Sequence, residues 1–281
     1  MTPGDTLLLQ AYGDARFLQQ ARFCILTAQA RGLNAPGGPR VLVYTDSPAS
    51  FADLGADVTP VPVTAEQMRR WRGDIDFVHR AKLEAVLHAL ASAVGPLLYV
   101  DSDTYFTVDP ATLFERIAPG HTLMRVSEGA FSNRSNGIQR KMQAFVRRHA
   151  FQLKGGETVR IPEHTEMWDA GVIGIHAADA PLVRRALELT DAMFPLYRKH
   201  VIEQVAVSFV LQTRSALEAA GDDVYHYWRY TTEFAPILDD FFAATAGRPL
   251  DEVAAAAVAL SPRGTPVAKR RWYSRLLGGR R

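Results

Sequence analysis

PLLYVDSDTYFTVDP, residues 96–110, sets an apolar run, Leu97–Val100, against two carboxylates, Asp101 and Asp103, at the point where the run stops. A four-residue apolar run opened by Gly95-Pro96 reads as a fully buried strand, the kind found in a parallel sheet covered on both faces. Ligands of such sheets bind outside the carboxyl ends of the strands, which is where this acidic pair falls. Two acids one residue apart can both approach a single hard divalent cation. The same pattern also describes a solvated strand end, or a turn in which Asp caps the next helix.

Working outward from this stretch, the pattern predicts an α/β protein with a mostly parallel central sheet flanked by helices. Leu7–Tyr12, Val41–Thr45 and Val58–Val63 read as strands preceding Leu97–Val100. Between the first two, Asp14 caps a helix whose apolar residues Phe17, Ala21, Cys24, Ile25 and Ala28 keep the helical period up to Gly32. A long helix is expected from Asp76, with Leu83, Val86, Leu87 and Leu90 on its buried face. Downstream, Asp109-Pro110 starts a short helix and Ser127–Gly156 reads as a polar, basic insertion with one helix. Val172–Ile175 is a buried strand, Asp179–Phe194 and Val201–Gln212 are helical, and Ser215–Ala220 continues as helix. Val224–Tyr227 is a last short strand, and helices follow at Thr231–Ala246 and Asp251–Leu260. With no internal repeat and no clean linker, one domain over 1–268 is expected, holding an insertion at about 127–160 and C-terminal helices at about 231–260.

Composition narrows the function classes. The 281 residues are 47% hydrophobic and 22% charged, enough apolar surface for a packed core rather than a disordered chain. The longest apolar run, Val253–Leu260, is far below the roughly 18 residues of a bilayer span. Met1–Asp14 has no basic segment of the signal-peptide kind. The single cysteine, Cys24, rules out an internal disulfide and a multi-cysteine metal site. A cytoplasmic protein is expected. Six cations of Lys269–Arg281 account for more than the net charge of +2, and removing six from +2 leaves −4 for the rest. A mildly acidic body argues against nucleic acid as a partner. The tail KRRWYSRLLGGRR, residues 269–281, mixes those cations with Trp272 and Tyr273, which suits peripheral contact with the inner face of an anionic membrane.

Other stretches carry candidate chemistry. Arg80 and Lys82 lie in the first turns of a helix, where cations oppose the dipole unless an anion is near. In MWDAGVIGI, residues 167–175, Asp169 stands at the mouth of a buried strand beside glycines. Glu203-Gln204 opens an otherwise apolar helix, and His226 sits among Tyr225, Tyr227 and Trp228, where an imidazole could complete a metal shell.

Taken in order, AYGD (11–14), LVYTD (42–46), RAK (80–82), LLYVDSD (97–103), WDAGVIGI (168–175), EQ (203–204) and HYW (226–228) resemble a nucleotide-sugar-dependent glycosyltransferase of the GT-A fold. The likeness is greatest to the glycogenin-like galactosyl- and glucosyltransferases, and it runs from about Leu7 to Trp228. The resemblance implies that Ala11, Tyr12 and Asp14 line a base and ribose pocket and that Arg80, Lys82 and Ser102 lie along the donor. It implies Asp101, Asp103 and His226 as ligands of manganese or magnesium on the diphosphate. Asp169, Glu203 and Gln204 would adjoin the transferred sugar and the acceptor, a glycan, a lipid-linked glycan or another hydroxyl compound. A UDP-sugar donor and retention of configuration are what this group leads one to expect. The chain departs from the group twice. HYWRYTTEF lacks the glycine and lysine that usually follow the histidine, and Asp169 replaces a common Asn, which would also allow it to act as a base in an inverting reaction.

Two other readings use the same residues. A haloacid dehalogenase-type phosphatase also places Asp-x-Asp after an apolar strand, and Gly221-Asp222-Asp223 mimics its later acidic motif. That motif should follow a strand, whereas Ser215–Ala220 reads as helix. A non-catalytic nucleotide-sugar-binding module would keep the same fold without turnover. A dinucleotide oxidoreductase is disfavoured because Leu7–Gly13 contains no G-x-G-x-x-G.

Overall fold

The computed structural model describes residues 4–134 and 136–260. The tail 269–281, and the membrane contact read into it, lie outside the described residues. In chain order, β1 (Thr6–Ala11) leads into α1 (Ala15–Ala28), then β2 (Arg40–Thr45), β3 (Val58–Pro62), α2 (Ala65–Arg72), α3 (Arg80–Leu90) and β4 (Pro96–Val100). Next come β5 (Thr104–Phe106), α4 (Ala111–Phe114), β6 (His121–Met124), β7 (Ser127–Ala130), α5 (Gly137–Arg148), β8 (Phe151–Gln152), β9 (Thr158–Val159) and β10 (Glu166–Trp168). The chain continues with β11 (Val172–His176), α6 (Ala180–Met193), α7 (Ile202–Arg214), β12 (Ala216–Ala219), β13 (Val224–His226), α8 (Thr231–Thr245) and α9 (Leu250–Ala259).

Seven strands form the central sheet in the order β12-β6-β11-β4-β1-β2-β3. All pairings are parallel except those of β11, which runs antiparallel to both β4 and β6. The expected mostly parallel sheet flanked by helices is therefore present. Alternate strand residues face opposite layers, and both layers are buried. Leu7, Leu9, Val41, Val43, Leu98 and Val100 pack toward α1, α8 and α9, while Leu8, Tyr44, Leu97, Tyr99, Ile173 and Ile175 pack toward α3, α6 and α7. Burial on both faces explains why these strands read as continuous apolar runs. Each fully buried Leu or Ile stabilises the fold by roughly 1.5–3 kcal/mol relative to exposure.

The chain lays β2 and β3 to one side of β1, then returns to place β4 on its other side. The carboxyl ends of β1 and β4 thus flank a topological switch point, the crevice where open α/β sheets hold ligands. Asp14 caps α1 at this edge, its carboxylate accepting the Arg16 backbone N–H.

Three sequence expectations differ from the fold, and one of them is the insertion, which holds the short strands β7, β8 and β9 besides its helix α5. The helix expected from Asp76 begins at Arg80, because Asp76 adopts φ +48°, a left-handed turn that no helix continues through. A separate helix, α2, precedes it, capped by the Thr64 hydroxyl. Ser215–Ala220, read as helix, contains strand β12 instead. Its pairing with β6 fills the edge of the sheet, and tertiary pairing overrides the helical propensity of Ala and Leu.

Candidate functional site

Three backbone features assemble the site. Asp101 follows β4 directly, at the carboxyl edge of the sheet. Because β11 is reversed, its beginning rather than its end lies at that same edge, and the Asp101 N–H donates to the Gly171 carbonyl at 2.9 Å. The β5–β13 pair then sets His226 opposite Thr104, and the Tyr227 N–H donates to the Asp103 carbonyl at 3.0 Å. Residues from positions 101, 169 and 226 thereby meet although the chain separates them widely.

Among the described residues, Asp101, Asp103 and His226 each offer one potential metal-ligand atom, all within 4.8 Å of one another. His226 Nε2 lies 3.2 Å from Asp103 Oδ1 and 4.0 Å from Asp101 Oδ2. Two carboxylate oxygens and an imidazole nitrogen suit manganese or magnesium, and the absence of thiolate disfavours a soft metal. Behind Asp101 stands Lys82, whose buried Nζ is 3.1 Å from Asp101 Oδ1 and 3.2 Å from Oδ2. It also donates to the Ala170 carbonyl at 3.2 Å. Tyr99 donates its hydroxyl to Asp101 Oδ1 at 2.7 Å.

Electrostatics follow from this crowding. Burial would raise the Asp101 carboxyl, but Lys82 and then His226 outweigh it and hold the group below the usual carboxylate range. Burial would lower Lys82, yet Asp101 and Glu203 keep it charged and shift it upward. Burial would likewise lower His226, but hydrogen bonds to Asp103 and Asp169 raise it to about 10. Glu203 is 2% exposed, and burial is the main cause that lifts it to about 7, with Lys82 opposing. Its Oε1 is buried without a hydrogen-bond partner, 3.8 Å from Lys82 Nζ. A buried oxygen that accepts no hydrogen bond costs free energy, which the nearby Lys82 charge offsets in part.

The other expected residues fall around this centre. Ala11, buried, ends β1, Tyr12, half-buried, follows it, and the Gly13 N–H donates to Asp46 Oδ2 at 3.1 Å. Asp14 is exposed and occupied with its helix cap and with Arg16. Ser102 donates weakly to Gln20 Oε1 at 3.4 Å. Gln204 donates to Glu128 Oε2 at 2.9 Å, tying the opening of α7 to β7 of the insertion.

Arg80 departs from the expectation of a donor contact. Its guanidinium donates to both Asp191 oxygens, at 2.7 and 3.2 Å, and to Glu84 Oε1 and the Trp71 carbonyl, each at 2.7 Å. The side chain is turned toward α6, and carboxylates rather than a bound anion explain a cation in this helix's first turn. Arg80→Gln is expected to lower stability by about 1.5–3 kcal/mol, because it removes charge-assisted hydrogen bonds to the half-buried Asp191 and Glu84. Nucleotide affinity, measured calorimetrically well below the unfolding midpoint, should stay unchanged. A tenfold weaker affinity would return Arg80 to the ligand.

Sequence reasoning missed Tyr99, Arg125 and Glu128. Tyr99 carried a signal, since residues two apart on an extended chain share a face and Asp101 is its i+2 neighbour. Arg125 and Glu128 carried none, because their partners, Asp169 and Gln204, come from β11's entry and from α7.

Because Ser215–Ala220 contains strand β12, Gly221-Asp222-Asp223 does follow a strand, which removes the sequence-based objection to a phosphatase. The sheet order supplies another. Two strands, β6 and β11, separate β12 from β4, a distance of roughly 14 Å at the usual strand spacing. Asp222 and Asp223 instead pair with Arg125 and Arg116.

Among the described residues no helix is long and apolar enough to cross a membrane. No family model matches the chain, and no curated protein matches it at the significance required.

Proposed function

We propose that the protein is a metal-dependent glycosyltransferase of the GT-A fold, moving a sugar from a nucleoside diphosphate, UDP favoured, to a hydroxyl of a glycan or lipid-linked acceptor. The observation that carries this reading is the convergence of Asp101, Asp103 and His226 at the switch-point edge, with donor atoms within 4.8 Å of one another. A divalent cation held there supplies charge stabilisation to a departing diphosphate. The chain's own residues do the rest. Tyr12, just after β1, offers a ring for a base, and Lys82 keeps a positive charge beneath the acidic pair. Glu203 and Gln204 open α7 beside Lys82 and β7, on the side of the site where the transferred sugar and the acceptor would lie. Retention of configuration is part of the proposal, resting on the family likeness.

Thermal unfolding with a panel of nucleoside diphosphates and their sugars, with and without manganese, tests it. A ligand at about a hundred times its dissociation constant adds roughly 2.7 kcal/mol, a rise of several degrees for a chain of this size. The expected result is a shift requiring both manganese and one nucleotide, followed by transfer to an acceptor. Metal-dependent binding with no transfer to any acceptor would favour the binding module. No shift, with hydrolysis of a simple phosphate ester, would favour the phosphatase.

A further inference from the structure

Asp169 was expected beside the transferred sugar, or as a base. In the structure its carboxylate is engaged by three groups of the protein itself. The carboxylate is buried, and Oδ1 accepts the Gly171 N–H at 2.8 Å while Oδ2 accepts from Arg125 Nη1 at 3.1 Å. Both oxygens also face His226 Nδ1, at 3.0 and 3.1 Å. Three donors of the protein itself thus converge on one carboxylate. The opposite ring nitrogen, Nε2, is thereby aimed at Asp103 and Asp101. Gly171 completes the cradle: a Cβ there would overlap the imidazole ring, so the ring lies flat against backbone that only glycine leaves open.

We infer that Asp169 is a positioning residue: it fixes the ring plane of His226 by accepting the Nδ1–H hydrogen bond, leaving Nε2 as the nitrogen presented to the Asp101–Asp103 pair. Arg125 and the Gly171 amide hold the carboxylate in place for that purpose. A histidine that ligates a metal commonly donates its other N–H to a carboxylate in this way, and losing that partner weakens metal affinity by about 10–100-fold. The inference rests on the metal-site reading above and deepens it, since it makes Asp169 part of the machinery for holding the ion instead of part of the reacting group.

The test is calorimetric titration of the full chain with Mn²⁺ in the presence of UDP, for wild type, Asp169→Ala, Asp169→Asn, His226→Ala and the Asp169→Ala/His226→Ala double variant. The expected result is a Mn²⁺ dissociation constant about 10–100-fold weaker in Asp169→Ala. Asp169→Asn, which keeps the shape and one acceptor oxygen, should lie between Asp169→Ala and wild type. It also serves if Asp169→Ala does not fold. In the His226→Ala background the Asp169 change should weaken Mn²⁺ no further, because its effect passes through the ring; a general structural role would still weaken it. Wild-type Mn²⁺ affinity in both Asp169 variants, or an equal loss with and without His226, overturns the inference while leaving the metal site standing. No Mn²⁺ uptake by wild type overturns the metal reading, and the inference with it.

Discussion

Asp103→Ala is expected to lower kcat for sugar transfer by about a thousandfold, equivalent to roughly 4 kcal/mol of transition-state stabilisation. Among the described residues Asp103 has no lysine partner of the kind Asp101 has in Lys82. Its carboxylate faces His226 Nε2 at 3.2 Å and remains one-fifth exposed, at 19%. Removing it takes away one of three donor atoms and the anion opposite His226, while the backbone bond from Tyr227 N–H to the Asp103 carbonyl survives. The fold should therefore be nearly intact, and the loss should fall on the chemical step because charge builds on the diphosphate only as it departs. Initial rates at saturating Mn²⁺ and donor, using the pair identified by thermal shift, provide the measurement. Rates within threefold of wild type would remove Asp103 from the site.

Lys82→Met is the second large effect, and it should appear first in stability. The buried ammonium is the counter-charge for Asp101 and Glu203, and methionine matches its length without the charge. Breaking a buried pair by deleting one partner costs about 3–5 kcal/mol, because the remaining charges stay desolvated. The unfolding midpoint should drop by roughly 10 °C. The pH dependence has a definite sign. Glu203 already binds its proton more tightly in the folded chain, at about 7 against 4.5, so its contribution is most favourable below pH 4.5 and is lost as pH rises through 7. Without Lys82 the folded-state carboxyls shift further up, so Lys82→Met should be hurt more at pH 8 than at pH 5. Adding Glu203→Gln should restore part of the loss at pH 8. Midpoints for the two single variants and the double variant at both pH values decide it; additive losses with no pH trend would show that the three groups do not share one charge network.

Much of this molecule is local chemistry written along the chain. The apolar runs at Leu7–Leu9, Val41–Val43 and Leu97–Val100, the Asp14 cap and the Asp-x-Asp at a strand end all follow from period and side-chain type. These signals act over a few residues and need no partner to be recognised. The helices α6 to α9 are legible on the same grounds, within a residue or two of their ends, and the insertion is legible as holding one helix, α5, without its ends. What the residues could not disclose is direction and company. Nothing in VIGI says that β11 runs against its neighbours, yet that reversal carries Asp169 to the carboxyl edge and within hydrogen-bond distance of His226. Ser215–Ala220 has helix-forming residues and becomes strand because β6 offers an unpaired edge. Arg80 and Lys82, two residues apart on one helix, part company because Asp191 waits on α6 for one and Asp101 after β4 for the other. Strand direction, edge pairing and the choice of a counter-ion are settled by contacts between segments far apart in sequence, where long-range packing and electrostatics outweigh local preference.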